Sequence, residues 1–279
     1  MKETLEQAIR DRYDDLPAGE RRIAEVLLDL RSELAAYSAT ELAARAGVSK
    51  ATVARLVRRL GYSDFQEMRQ QARAQWRTGS PLAELPMTLG QAGSLGHHLE
   101  QDMICLSHTL GTLSPEIAGR AISLLAGATN VWVVGFRNSH ALALYARELL
   151  IQIRPAVHLL PVPGQTVAEE LAGLSKNDAV LALGFRRRPP LLGRILQEAW
   201  QAGAPVVLIG DPSLGELSKW AEVTIRCLNR GASPFDSYVS AVSLLNYLCS
   251  GVAAELGDRA QGRLRRCEEL HDAFGDFGA

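Results

Sequence analysis

The residues with the clearest chemical purpose are the cations and small side chains between Ser49 and Arg59. At helical spacing, the apolar residues of this stretch fall on one side and leave a second side of alanine flanked by long cations. Alanine lets a helix approach base-pair edges closely, and arginine can bind guanine or phosphate. This face therefore predicts contact with DNA. The residues assigned to that contact are Ser49, Lys50, Ala51, Thr52, Arg55, Arg58 and Arg59.

The segment that carries this face has the spacing of two helices joined by a tight turn. Leu42, Ala43 and Ala46 supply the apolar side of a first helix, Gly47 gives the turn its backbone freedom, and Ser49 caps the second helix. The plain alternative is a surface helix that happens to alternate apolar and basic residues. The coincidence of turn glycine, cap serine and alanine-rich face favours a helix-turn-helix.

Positive charge is concentrated in the same part of the chain. The cations from residue 49 to 77 are Lys50, Arg55, Arg58, Arg59, Arg69, Arg73 and Arg77, and the acids are Asp64 and Glu67. The stretch thus has a net charge of +5, whereas the whole chain of 279 residues has a formal net charge of −1. A local basic surface on a near-neutral protein is typical of phosphate binding.

A second group of cations follows two short apolar runs. Arg137 comes after Val131–Gly135, and an arginine triplet comes after Ala179–Gly184. Apolar runs separated by helices predict a parallel sheet whose ligands sit beyond the carboxyl ends of its strands. The four arginines are predicted to meet there and bind an anion, with Ser139 capping the next helix. The candidate effector-binding residues are Gly135, Arg137, Asn138, Ser139, Arg186, Arg187 and Arg188.

A structural role for these arginines stays open beside the anion site. They could pair with acids such as Glu169, Glu170 or Asp211, or remain solvated, because surface ion pairs are common and weak. The string from Thr166 to Glu169 reads as a capping box that starts a helix. His140 is interpreted as a first-turn helix residue, not as a catalytic base.

The helices and strands around the DNA-contacting face and around the second group of arginines predict an α/β protein of two domains. Residues 1–77 are expected to be wholly helical, with a helix at 3–13, a break at Leu16-Pro17 and a helix at 21–30; residues 78–93 form a linker. Residues 94–279 are predicted to form a doubly wound, flavodoxin-type domain that binds the effector and dimerises. The strands are Val131–Gly135, Val157–Leu160, Ala179–Gly184, Pro205–Gly210 and Glu222–Cys227.

Several classes of protein and site are disfavoured. The polar start lacks the apolar run of a secretory signal. We expect no apolar stretch to approach the ~18 residues of a membrane span, and therefore predict a cytoplasmic location. The four cysteines are scattered without metal-ligand spacing, so neither a metal, a disulfide nor a cofactor is expected. The apolar segment Tyr238–Leu256 is predicted to pack in the core and reach a subunit interface.

The chain resembles the bacterial RpiR/MurR transcription regulators. Leu16-Pro-Ala-Gly-Glu-Arg-Arg-Ile-Ala, Gly47-Val-Ser-Lys-Ala-Thr-Val with Arg55, and Arg59-Leu-Gly-Tyr62 are similar to their helix-turn-helix domain. Residues 94 to about 272 resemble their sugar isomerase (SIS) domain. The resemblance implies a regulator, not an enzyme. It also implies a homodimer or homotetramer that binds double-stranded operator DNA and whose SIS domain binds a phosphorylated sugar.

The ligand motifs depart from the family pattern. Gly-x-Gly-x-Ser is kept at Gly135 and Ser139, but Arg137 replaces the second glycine. Where the family has Ser-x-Ser-Gly-x-Thr, this chain has Gly-Phe-Arg-Arg-Arg-Pro at residues 184–189, so every hydroxyl of the family motif is absent. A small anionic effector still fits, either a phosphorylated metabolite or a carboxylate. Alternatively, the arginines fill the pocket and the domain only dimerises. The family resemblance further implies that Asp236, Ser237 or Tyr238 reaches the site from a neighbouring subunit.

A sugar-phosphate isomerase with an accessory helical domain is the alternative function. Such a reaction needs a general base beside the carbon that loses its proton. His140 and Glu169 are the candidates at the pocket edge, and neither has a recognisable partner in the sequence.

Overall fold

A computed structural model describes residues 5–30, 37–76, 94–232 and 235–276. The chain divides into two units, Met1–Ala83 and Glu84–Ala279. The predicted linker 78–93 and the cation Arg77 lie outside the described residues, so the linker and the domain limits derived from it stay predictions.

The first unit is helical throughout its described residues. Its helices are α1 (Leu5–Arg12), α2 (Ala18–Leu30), α3 (Ala39–Arg45), α4 (Lys50–Arg59) and α5 (Phe65–Trp76), with a 3-10 turn at Tyr13–Asp15. Helix α2 starts earlier than the predicted residue 21, because the Pro17 carbonyl already accepts the Glu20 and Arg21 amides at 2.8 and 2.9 Å. Ile23, Leu42 and Leu56 are fully buried in the core of this unit.

The second unit is a doubly wound parallel α/β domain, as predicted. Its helices are α6 (Leu95–Gly111), α7 (Pro115–Gly127), α8 (Asn138–Ile153), α9 (Val167–Leu171), α10 (Pro190–Gln201), α11 (Val239–Leu256) and α12 (Asp258–Phe274). Its strands are β1 (Val131–Gly135), β2 (Val157–Leu160), β3 (Ala179–Leu183), β4 (Val206–Gly210) and β5 (Val223–Arg226), and a 3-10 segment spans Pro212–Trp220. The sheet order is β2-β1-β3-β4-β5, which is the flavodoxin-type order.

Helices cover both faces of the sheet. Alternate side chains of each strand point to opposite faces, so one strand contributes to both cores. Val131 and Val133 of β1 join one core with α7, α8 and α11, whereas Trp132 and Val134 join the other with α10. The three central strands, β1, β3 and β4, therefore consist of continuous apolar runs. This layering leaves the carboxyl ends of β1 and β3 side by side, with Gly135 in register with Leu183.

Helix α11 is as long and as apolar as a membrane span, contrary to the expectation that no stretch approaches that length. It has 18 residues with a mean hydropathy of 1.4. Its buried side includes Leu244, Leu245 and Leu248, and it packs against α6, α7 and α8. The predicted packing in the core is confirmed, and α11 is explained as a core helix of the second unit. Its contact with another subunit stays a prediction.

A buried carboxylate ties together the amino ends of β1 and β3. Asp178 is 3% exposed and accepts hydrogen bonds from the backbone and side chain of Asn130, at 3.0 and 2.6 Å. It also accepts the Ser175 amide and hydroxyl, both at 2.9 Å. Burial by itself raises the pKa of Asp178, but these hydrogen bonds favour the charged form and leave the pKa below its usual value.

Asp178→Asn is expected to lower the free energy of unfolding at pH 7 by about 1–3 kcal/mol, because an amide cannot accept all four donors. A lowered native pKa means that the carboxylate stabilises the fold above its unfolded pKa of about 3.9, and that this contribution is lost as pH falls through the native value. Urea unfolding at pH 7 and near pH 3 should show the difference from the parent shrinking in acid. The exposed Asp272→Asn is the control, and a pH-independent difference would contradict the argument.

Candidate nucleic-acid interface and anion site

Helices α3 and α4 form the predicted helix-turn-helix. Ser38 and Glu41 build a capping box at the start of α3. Gly47 takes a φ of +62° in the turn, a conformation that favours glycine. The Ser49 hydroxyl then accepts the Thr52 amide at 3.2 Å, which confirms Ser49 as the cap of α4. Val53, Leu56 and Val57 are buried against the other helices, as predicted.

The opposite side of α4 presents cations around a small-residue centre. The exposed residues of this recognition face are Lys50, Ala51, Ala54, Arg55 and Arg58. The Arg55 guanidinium donates to the Thr52 hydroxyl at 3.1 Å, which holds the long side chain close to the helix start. The face can approach a major groove closely at its alanines while arginine reaches base edges or phosphates.

Two further residues assigned to DNA from the sequence, Thr52 and Arg59, have partners within the chain. Thr52 is only 9% exposed, and its hydroxyl contacts the Ser49 hydroxyl at 2.9 Å. Arg59 forms an ion pair with Glu20 of α2, with 2.9 Å between Nε and Oε2, and the Glu20 side chain is only 5% exposed. Arg59 follows Thr52 by two helical turns, so both start from the side of α4 that α2 contacts. The Arg59 side chain is nevertheless 46% exposed, so only Thr52 is buried there.

At the carboxyl edge of the sheet, the chain passes from β1 into α8 with very little space. A Cβ atom at Gly135 would overlap the backbone carbonyl of Ser139. Arg137 is the residue before the helix and has a φ of 57°, so α8 begins at Asn138. The predicted cap at Ser139 is therefore wrong. Ser139 lies inside the first turn, is 6% exposed, and its amide donates to the Phe136 carbonyl at 3.1 Å.

Arg188 joins the ends of β3 and β4. Its guanidinium donates to the Gly184 carbonyl and to the Asp211 carboxylate, each at 2.7 Å, and to the Ser213 carbonyl and hydroxyl, each at 2.8 Å. The side chains of Arg188 and Asp211 are 17% and 6% exposed. The structural role considered from the sequence is thus observed for Arg188, and Asp211 is its acidic partner.

Arg186 is also paired with an acid. Its Nε and Nη2 atoms contact the two carboxylate oxygens of Asp236 at 2.8 and 2.6 Å, a two-pronged geometry. Tyr238 lies beside this pair, packs edge-on against Phe185 with ring centroids 5.2 Å apart, and hydrogen bonds to the Asn138 side chain. Burial, followed by the Asp236 charge, raises the pKa of the Tyr238 phenol. Asp236 and Tyr238 therefore reach this edge from the same chain, not from a neighbouring subunit as expected.

Arg137 and Arg187 are different from the other two arginines. Both are exposed, and neither guanidinium has a hydrogen bond or ion pair with any residue that the structure describes. Both also have positive φ angles, 57° and 63°, which are unusual for residues other than glycine. Such conformations cost free energy and are concentrated at functional sites.

The candidate bases have local structural partners. The Nδ1 atom of His140 lies 3.2 Å from the Gly135 carbonyl oxygen. The Thr166 hydroxyl donates to the Glu169 carboxylate, and this hydrogen bond together with one from the Glu169 amide lowers the pKa of Glu169, so the carboxylate is a weaker base. Helix α9 does begin after Thr166. The Thr166 side chain, however, bonds the Glu169 carboxylate and makes no capping hydrogen bond to a backbone amide, so the predicted capping box is incomplete.

Thiol chemistry is equally disfavoured by burial. Cys105, Cys227 and Cys249 are buried, and Cys267 is partly exposed. Burial raises the pKa of Cys227 and of Cys249 to about 12, so both stay protonated at neutral pH.

Comparison with known proteins identifies the two units. The helix-turn-helix domain of the rpiR family matches residues 3–77, and the SIS domain matches residues 124–250. The chain is an RpiR-family transcriptional regulator. Along nearly its whole length this regulator is similar to the HTH-type transcriptional regulator HexR of Pseudomonas aeruginosa, with 26% identity over 279 residues that cover 96% of this chain and 95% of HexR.

Solved structures share the fold of this RpiR-family regulator. The Vibrio vulnificus NanR protein complexed with ManNAc-6P is similar at a TM-score of 0.59 and 18% identity, covering 97% of this chain and 99% of NanR. The sugar isomerase domain of the RpiR transcription factor from Sphaerobacter thermophilus is similar at a TM-score of 0.58 and 24% identity, covering 62% of this chain and 96% of that one. Both arginine-bearing turns of this regulator fall within its SIS domain.

Proposed function

We propose that this regulator binds operator DNA through the recognition face of α4 and that a small anion at the carboxyl edge of β1 and β3 changes its operator affinity. The observation that carries the DNA part is the exposed side of α4, where Arg55 and Arg58 flank Ala51 and Ala54. We assign Arg55 to a base edge, and Lys50 and Arg58 to base or phosphate.

The proposed effector site uses the two unpaired cations, Arg137 and Arg187, together with Asn138 at the start of α8. Both guanidinium groups follow the carboxyl ends of neighbouring strands, where an anion would offset their like charges. The helix start adds a partial positive charge. NanR was solved with a phosphorylated sugar. We therefore propose a phosphorylated metabolite for this chain as well, held by guanidinium groups where the family motif has hydroxyls.

Arg186, Arg188 and Gly135 take a supporting part in this proposal. Arg188 and Arg186 are neutralised by Asp211 and Asp236, and so they shape the β3 turn that presents Arg187. Gly135 allows the close passage from β1 to α8 that places Arg137.

We further propose that the chain has no isomerase activity and acts as a homo-oligomer in the cytoplasm, where bacterial DNA is accessible. A dimer or tetramer binds two operator half-sites at once, which multiplies the contacts. The weakened base Glu169 and the bonded imidazole of His140 support a binding role. Incubation with aldose and ketose phosphates is expected to show no interconversion, and measurable turnover would overturn this part.

The effector can be sought by a thermal-shift screen of phosphorylated and carboxylated metabolites. An anion at one hundred times its dissociation constant stabilises the folded state by about 2.7 kcal/mol. We expect phosphorylated compounds to raise the melting temperature of the full chain and rising salt to weaken the effect. A screen in which uncharged sugars stabilise and anions do not would contradict the proposed site.

Arg55→Ala is expected to weaken operator binding by about 1–3 kcal/mol, or about fivefold to 150-fold, and to relax the preference at one base position. The physical reason is the loss of a two-pronged contact to a base edge. Titration of DNA from upstream of its own gene, followed by gel shift, measures the change against a scrambled duplex of the same length.

Arg120→Ala is the matched control for that variant, because it deletes the same charge from an exposed residue of the second unit. It should bind operator like the parent. If Arg55→Ala retains parental affinity and sequence preference, α4 is not the recognition helix.

A further inference from the structure

The hydroxyl of Thr52 lies at the centre of a short chain of hydrogen bonds on α4. On one side it contacts the Ser49 hydroxyl at 2.9 Å, and on the other it accepts the Arg55 guanidinium at 3.1 Å. The three residues follow one another at intervals of three, which places neighbouring members side by side on a helix. We call Ser49, Thr52 and Arg55 the α4 hydrogen-bond chain.

The Thr52 side chain is held in one orientation by helix α2. Thr52 is 9% exposed, and its methyl carbon lies against Gly19, 3.4 Å from the position that a Cβ atom would take there. The Ser49 hydroxyl also accepts the Thr52 amide at 3.2 Å, which fixes the backbone at the same point. A β-branched side chain is stiff about its first torsion angle. With the methyl group against α2, the hydroxyl is therefore directed toward Ser49 and Arg55.

The Arg55 side chain, in contrast, is exposed and long. A free arginine on a helix surface samples many rotamers, and ordering it at the moment of binding opposes association. The hydrogen bond to Thr52 restrains the guanidinium beforehand, over the first turn of α4. The amino-terminal residues of a recognition helix are those that contact base edges. The α4 hydrogen-bond chain thus directs the cation toward the base-reading end of the helix.

This restraint leaves Arg55 able to bind a base. A guanidinium carries five N–H donors, and Thr52 occupies one of them, on Nη2. The donors form two parallel pairs, one on the Nε side and one at the Nη end, so the use of a single N–H leaves one complete pair. A pair of parallel donors is what binds O6 and N7 of guanine. Restraint and recognition therefore use different donors of the same group.

We propose that Thr52 is a positioning residue, which sharpens base preference by restraining Arg55 and does not contact DNA itself. This inference rests on the proposed contact between Arg55 and a base. The low exposure of Thr52 and its packing against α2 support the indirect role. Loss of the hydroxyl should relax the preference only where Arg55 reads, whereas every cation of the recognition face is retained.

The test compares Thr52→Val with the full-length parent in gel-shift titrations, because valine replaces the hydroxyl by a methyl group of similar size. The probes are the operator and its single-base-pair substitutions. Thr52→Val is expected to reduce the preference at one position about twofold to tenfold, the effect of one hydrogen bond. This must be the position that Arg55→Ala relaxes. The slope of affinity against salt concentration should stay parental, because no cation is removed.

Matched variants separate the restraint from an effect on folding. Thr52→Ser and Thr52→Ala both lose the methyl contact with Gly19 and differ from each other only in the hydroxyl. Serine should therefore keep most of the preference and alanine should lose it, even if valine destabilises α4. Thr224→Val makes the same exchange of hydroxyl for methyl on β5 of the second unit, and should bind operator like the parent. Thermal unfolding of each variant checks the fold.

A cycle of single and double variants decides whether Thr52 acts through Arg55. In the Arg55→Ala background, Thr52→Val should cause no further loss of base preference, because the group that it positions is already absent. Equal losses in both backgrounds, a relaxed preference at a different position, or equal preferences for the serine and alanine variants would overturn the positioning role.

These outcomes are separable from the proposed function. If Arg55→Ala relaxes the preference at one position and Thr52→Val leaves it parental, the positioning role is wrong and the recognition face of α4 stands. If Arg55→Ala itself keeps the parental preference, the proposed base contact fails, and the positioning role fails with it.

Discussion

Arg137→Ala combined with Arg187→Ala is expected to abolish the response of operator binding to the effector. In the proposed site each guanidinium would supply at least one hydrogen bond to an ionised group, and such bonds contribute about 1.5–3 kcal/mol each. Their joint loss should weaken anion binding by at least about a hundredfold. Operator affinity without effector should be unchanged, because both residues lie in the second unit. Calorimetry with the anion that gives the largest thermal shift measures the loss.

The structure also supplies controls for that double variant. Arg120→Ala removes an exposed cation of the second unit that pairs with Glu222, so it tests for a general charge effect. Lysine at positions 137 and 187 keeps the charge but not the forked donor geometry, and should restore part of the affinity. If the double alanine variant binds the anion as tightly as the parent does, Arg137 and Arg187 do not form the effector site.

Asp211→Asn is expected to lower the free energy of unfolding by about 3 kcal/mol. The change leaves the Arg188 guanidinium, whose side chain is 17% exposed, without its carboxylate, and breaking one partner of a buried ion pair has a cost of this size. For a unit of about 200 residues this corresponds to a fall of about 6–12 °C in melting temperature. Differential scanning calorimetry measures it.

Neighbouring arginines make this prediction selective. Arg188→Met should destabilise the fold similarly, whereas Arg187→Met should change stability by less than about 0.5 kcal/mol, because Arg187 is exposed. The double variant Arg188→Met with Asp211→Asn should lose less than the sum of the single losses, since neither partner is then left as an unpaired charge. Additive losses, or equal effects at Arg187 and Arg188, would mean that the ion pair contributes little.

The sequence by itself determined those features that depend on local contacts. The Ser49 cap, the turn at Gly47 and the buried stripe of α4 all follow from residues within a few positions of one another. The three central strands were recognisable because a strand buried on both faces must be apolar at nearly every position. The parallel direction of the strands then follows, since each strand is separated from the next by a helical connection.

The tertiary structure decided how charges are distributed at both sites. Arg186 meets Asp236 and Arg188 meets Asp211 only after strands β3 and β4 and helix α11 have packed together. Arg59 and Glu20 are likewise brought together by the packing of α2 on α4. Sequence spacing cannot distinguish four equivalent arginines, because an ion pair depends on distances between residues far apart in the chain. Folding neutralises two of them and leaves Arg137 and Arg187 exposed.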